Sequence, residues 1–146
     1  MIKFRYDDGG RAAAGYKGGT GDCAVRAAAI ATGMPYREVC SAINLLAKAE
    51  RPRGGRKRSS ARNGVWRKTL NKYLADRGWE WVPTMEIGSG CRVHLRADEL
   101  PAGRIIVRLS KHYAAVVNGV LRDTYDCSRD GTRCVYGYWQ HTAATI

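Results

Sequence analysis

The chain has 146 residues, with 25 Lys and Arg against 13 Asp and Glu, a formal net charge of +12. That length fits a single domain, 1–146, able to bury a core without disulfide or metal staples. No run approaches the roughly eighteen apolar residues of a membrane span, and the opening MIKFRYDDGG lacks the apolar stretch of a signal peptide, so no membrane span is expected and the cytoplasm is the expected location.

The first nineteen residues read as an entry arm. IKFRY suits an edge strand, and DDGGRAAAGYKGG is too rich in glycine for a regular element. A helix is expected from Asp22 to Ala31, with Asp22 or Thr20 as its N-cap and Gly33 closing it. A second runs from Pro35 to Glu50, where Val39, Ala42, Ile43 and Leu46 recur at helical spacing. Cys40 lies beside that face and reads as a core thiol.

RPRGGRKRSSARNG follows, a basic flexible loop at about 51–63. Its Arg56, Lys57, Arg58 and Arg62 are candidates for holding an acidic partner. No aromatic residue interrupts residues 51–63, which argues against a base-stacking platform there. A third helix is expected over Val65–Arg77, ending at Gly78, with Trp66, Leu70, Tyr73 and Leu74 buried. WEWVPTM reads as a strand, and 86–102 as loop with a helical turn at ADEL.

The last third changes character. GRIIVRL, HYAAVV, VLRDTYD and RCVYGYW are short runs of β-branched and aromatic residues, and VVNGVL carries an Asn-Gly hairpin turn. The expected class is therefore α+β, with N-terminal helices packed on a C-terminal antiparallel sheet.

Five cysteines, at 23, 40, 91, 127 and 134, form an odd set without a signal peptide, so separate reduced thiols are expected. Cys23 stands where the glycine-rich GGTG loop becomes a helix. A helix N-terminus carries unpaired N–H groups and partial positive charge, which favour a thiolate. That position serves a nucleophile, whereas a core cysteine gains nothing from it. Proton transfer needs a fixed imidazole. His112 opens the strand HYAAVV, whereas His94 lies in a loop and His141 in the tail.

The hairpin register supplies the third group. With Asn118-Gly119 as a two-residue loop, Val117 pairs with Val120 and Ala114 with Asp123. His112 and Asp123 then share a face as diagonal neighbours. A three-residue loop would instead set His112 opposite Asp126. Asn-Gly favours the shorter loop, and with it Asp123.

A cysteine opening the first buried helix (GDCAVRAAAIATG), a strand histidine (SKHYAAVV) and an acid on the next strand (LRDTYD) resemble the papain-like cysteine peptidase superfamily. The compact size is similar to its small bacterial and bacteriophage members of the bacteriocin-leader peptidase type. The resemblance covers residues 16–126. It implies a papain-like fold and cleavage of a peptide, isopeptide or related acyl bond, with no cofactor. Cys23 would be the nucleophile, His112 the general base and then acid, and Asp123 the orienting group. Many members place a side-chain amide just upstream of the cysteine as an oxyanion donor. Residues 1–22 hold no Asn or Gln, so the Cys23 N–H would need help from Lys17, Thr20 or Tyr16.

Other chemistries fit less well. Cys91, His94, Cys127 and Cys134 have the donor types of a Cys₃His zinc set, but the Cys127–Cys134 gap is long and the pairs come from distant segments. No metal is expected. GYKGGTGDC lacks the Gly-Lys-Ser/Thr end of a phosphate-binding loop. Two functions remain in view: a cysteine hydrolase acting on a peptide or protein substrate, an acidic one by charge, or an inactive basic module binding nucleic acid or an acidic protein.

Overall fold

The structure is a computed structural model, which describes residues 2–18, 21–52, 54–86 and 88–145. Three helices form where apolar spacing predicts them: α1 (Cys23–Thr32), α2 (Tyr36–Ala47) and α3 (Arg67–Ala75). α1 stops where Gly33 turns left-handed at φ 74° and donates its N–H to the Ala29 carbonyl. α2 ends at Ala47, short of the expected Glu50. The Glu50 carboxylate is drawn away from the helix, accepting hydrogen bonds from the Ser59 N–H and the Thr69 hydroxyl.

Six strands form one sheet: β1 (Lys3–Tyr6), β2 (Trp79–Pro83), β3 (Arg104–Leu109), β4 (His112–Val117), β5 (Val120–Asp123) and β6 (Gly137–His141). Their order is β1-β5-β4-β3-β6-β2. The α+β class holds, but the sheet is mixed rather than antiparallel. β1 pairs parallel with β5, and β2 joins the far edge through β6. The C-terminal run RCVYGYW pairs as a strand only from Gly137, because the Val135 N–H turns aside to the Val93 carbonyl.

Both faces of the sheet are covered, which explains the near-continuous apolar runs of β3 and β4. The three helices bury one face, where Ile106, Ala115, Val117 and Trp139 meet the alanine-rich side of α1. The other face holds Ile105, Val107, Leu109, Ala114, Val116 and Leu121, packed under Leu95, Cys127 and Val135.

The basic loop is only partly free. Residues 51, 52 and 54–58 are exposed, but Ser59 and Ala61 are buried. The Ala61 N–H donates to Asn44 Oδ1 on α2 at 2.9 Å, and Ser60 bridges Gly64. The second half of this segment is thus fixed against the helices.

Gly137 marks the tightest packing in the sheet. A Cβ there would fall inside the Trp81 indole and 2.9 Å from the Val82 carbonyl oxygen. Gly137→Ala should cost about 1–3 kcal/mol through overpacking, read as a lower midpoint in urea with an unchanged slope.

Candidate active site

α1 begins directly at Cys23, after Asp22. The Asp22 side chain makes no capping bond to the helix. It is fully buried and accepts hydrogen bonds from Arg26 and from the Tyr36 hydroxyl, with Arg11 Nε 3.5 Å away. The start of α1 is thereby anchored to α2 through a polar contact beneath the thiol.

The imidazole is placed by two tight hairpins. Leu109 pairs with His112 across Ser110-Lys111, and Lys111, at the second turn position, takes a positive φ of 55°. Val117 pairs with Val120 across Asn118-Gly119, at φ 49° and 77°. This is the two-residue register, and it sets His112 diagonal to Asp123. His112 Nε2 lies 2.6 Å from Asp123 Oδ2. The other carboxylate oxygen accepts from the Thr124 N–H at 2.7 Å and from Arg26 Nη2 at 3.3 Å. Asp126 stands apart, accepting from the Ser128 N–H and hydroxyl.

With Nε2 committed to the carboxylate, Nδ1 is the ring nitrogen left to serve a sulfur. Cys23, His112 and Tyr113 line one cavity, and the imidazole and the Tyr113 backbone N–H both favour the thiolate. This amide is free for a reason of register. The pair 108–113 follows the hydrogen-bonded closing pair of the β3–β4 hairpin, so its N–H points away from β3. β5, which would otherwise accept it, has ended at Asp123.

The electrostatics follow. Burial pushes the Cys23 thiol up, but the hydrogen bond and charge of His112, the Tyr113 N–H and the Arg26 charge outweigh it, and the thiol titrates below its ordinary range. Burial pulls His112 down, yet its bonds to Asp123, Cys127 and Cys23 win, and it is pushed up to about 11. The two shifts run in the directions that favour a thiolate beside an imidazolium. Asp123 is lowered in turn: burial raises it, but the His112 hydrogen bond and charge, the Thr124 N–H and Arg26 prevail.

Four neighbours were not legible as site residues. Arg26 is the one charged residue in an otherwise apolar stretch of α1, and it bridges Asp22 and Asp123 while only 9% exposed. A cation inside an alanine-rich helix was the available signal. Tyr125 lays its ring 5.4 Å from His112 while half-exposed, screening the imidazole from solvent. Cys127 is buried against the same ring, and its sulfur, one His112 nitrogen and one Asp123 oxygen lie within 4.8 Å of one another. A metal ion held by these three would take both groups that serve the thiol. Asn63, from the end of the basic loop, lines the cavity of about 670 Å³ over Cys23. It arrives because the Gly21 N–H donates to the Arg62 carbonyl at 2.8 Å, and a Cβ on Gly21 would sit 3.1 Å from the Asn63 carbonyl oxygen.

Of the expected oxyanion donors, Tyr16 and Lys17 do not line this cavity. Tyr16 packs its ring 5.0 Å from Tyr36 under Arg37, Lys17 is exposed elsewhere, and Thr20 lies outside the described residues. Asn63, downstream of Cys23, does line the cavity. Of the candidate partner-binding cations, Arg56, Lys57 and Arg58 line a groove beside the cavity, whereas the Arg62 guanidinium lies next to Gly18.

The cysteines also need correction, since not all are separate thiols. Cys91 and Cys134 are joined, with Cα atoms 5.8 Å apart, and only Cys23, Cys40 and Cys127 are free. The segments meet because the Leu95 N–H donates to the Arg133 carbonyl and the Val135 N–H to Val93. That pairing removes two members of the Cys₃His set, and His94 turns its Nδ1 to Glu99 at 3.2 Å. Cys40 is a buried core thiol as expected, pushed up chiefly by burial.

Among the described residues, no helix is long and apolar enough to cross a membrane. No family model, curated protein or solved structure matches this chain.

Proposed function

We propose that this protein is a papain-like cysteine hydrolase that cleaves a peptide, isopeptide or related acyl bond. The observation that carries the reading is a half-buried sulfur sharing one cavity with an imidazole that favours its thiolate and whose Nε2 is 2.6 Å from a buried carboxylate. That is the nucleophile, base and orienting group of covalent acyl transfer, recognised by geometry and role.

The ionisation state sets the order of steps. In the reactive form of the pair, with the proton on the imidazole, His112 acts first as an acid. The Cys23 thiolate attacks the carbonyl carbon, and the electron pair moves onto the carbonyl oxygen. The Cys23 N–H and the Asn63 amide are the donors near that oxyanion. Collapse expels the leaving amine, which takes the proton from His112, and leaves a thioester on Cys23. Neutral His112 then removes a proton from water, the hydroxide adds to the thioester carbonyl, and the carboxylic product departs as the thiolate and imidazolium re-form. Asp123 keeps the ring oriented and balances its charge throughout.

The reading is tested by digesting a proteome-derived peptide library and identifying new termini by mass spectrometry. The wild-type protein should generate cuts, and Cys23→Ala should generate none. Identical digests from the two proteins would remove the hydrolase reading.

A further inference from the structure

The cavity over Cys23 does not end at the thiol. It shares Asn63, Gly64, Val65, Arg108 and Tyr113 with a second groove of about 530 Å³. Five cations line that groove: Arg56, Lys57, Arg58, Arg67 and Arg108. No carboxylate lines it among the described residues. The neighbouring acid, Glu50, is occupied by Ser59 and Thr69. Like charges gathered in one concave surface repel one another, and they focus a positive potential that an anionic occupant relieves.

The aromatic residues decide which anion. A single-stranded nucleic acid needs open ring faces on which bases stack. Trp66 is covered by the Arg56 guanidinium at 4.2 Å from the ring centroid, and its Nε1–H donates to the Lys57 carbonyl. Tyr113 packs against Trp139 at 5.9 Å. Neither ring is offered to a base. Arg108 lies opposite Tyr113 in the β3–β4 register, and both line the cavity over Cys23. Arg108 is therefore the cation of the groove placed next to the reacting bond.

We propose that this groove is the specificity site for acidic peptide substrates. Arg108 binds an Asp or Glu side chain beside the scissile bond, and Arg56, Lys57, Arg58 and Arg67 bind acidic residues further along the same side. The proposal rests on the hydrolase reading, and its experiment separates the two. The peptide library is digested with the wild-type protein and with Arg56→Glu/Arg58→Glu, while selective labelling of Cys23 by iodoacetamide reports that the variant's site is intact. Asp and Glu should be enriched by about tenfold within four residues on one side of the cut, and the variant should lose that enrichment. A neutral or basic consensus would overturn the groove's role and leave the hydrolase standing. Absence of cleavage would remove the hydrolase instead. In either case fluorescent hexaglutamate and an oligothymidylate of equal charge are titrated into Cys23→Ala. Tighter, salt-sensitive binding of hexaglutamate supports an acidic-peptide groove, and tighter binding of the oligothymidylate assigns it to nucleic acid and overturns the proposal.

Discussion

In His112→Ala, iodoacetamide at pH 6 will label Cys23 about tenfold or more slowly than in the wild-type protein. The thiol titrates below its ordinary range despite its burial, and the first opposing influences are the hydrogen bond and charge of His112. Removing the imidazole leaves the burial, which raises the thiol, opposed only by the Tyr113 N–H and the more distant Arg26. Each unit of raised thiol pKa costs tenfold in thiolate at a pH below it, partly offset by the greater intrinsic nucleophilicity of the more basic sulfur. The wild-type rate should begin its fall with acid at a lower pH than the variant rate, because its thiol pKa is lowered. The variant rate should fall steadily from neutral pH downward. Cys40, buried and pushed up, supplies the internal reference, since its slow labelling should be identical in both proteins. Equal rates at Cys23 in the two proteins would mean that the imidazole does not activate the thiol.

The second large effect is on stability. Arg26→Met will lower stability by about 3–5 kcal/mol at neutral pH, because it strips the shared cation from two buried carboxylates. For a domain of this size that is roughly a 10 °C fall in thermal midpoint. Asp22 and Asp123 are 0% and 3% exposed, and Arg26 touches both. Methionine fills similar volume without charge, so the loss reads mainly the orphaned anions. The pH dependence has a definite sign. Asp123 titrates below its ordinary 3.8 when folded, so its contribution is complete above the unfolded value and disappears as acid carries the pH down through the folded one. Arg26 is one cause of that lowering. The gap between wild-type and variant midpoints should therefore be widest near pH 7 and narrow below about pH 4. A gap that stayed constant across that range would assign the loss to packing.

How much of this was readable beforehand depended on the range of the interactions involved. The Cys23–His112–Asp123 set was legible because each member sits at a local landmark: a helix start, a strand start and a hairpin register. Asn118-Gly119 fixed the register, and the register decided between Asp123 and Asp126. The edge strand at residues 3–6 and the three helices followed from short-range periodicity. What escaped depended on long-range approach. Parallel pairing of β1 with β5 leaves no local mark in either strand. Asn63 enters the site only because Gly21 lets the basic loop come close. Cys91 finds Cys134 across 43 residues through backbone pairing of two irregular segments. Arg26 was visible as a charge in an apolar stretch, but its partner Asp123 lies 97 residues away.

The parallel pairing at the edge of the sheet has a consequence for when the protein becomes competent. Tyr6 pairs with Asp123, and the Asp7 N–H donates to the Asp123 carbonyl at 3.0 Å, so β1 clamps the residue that steadies His112. During synthesis β1 must wait, unpartnered, until β5 has emerged far downstream. Contacts so remote in sequence form late and slowly. On the hydrolase reading, the nascent chain carries Cys23 without its Asp123-steadied imidazole until β5 has joined the sheet.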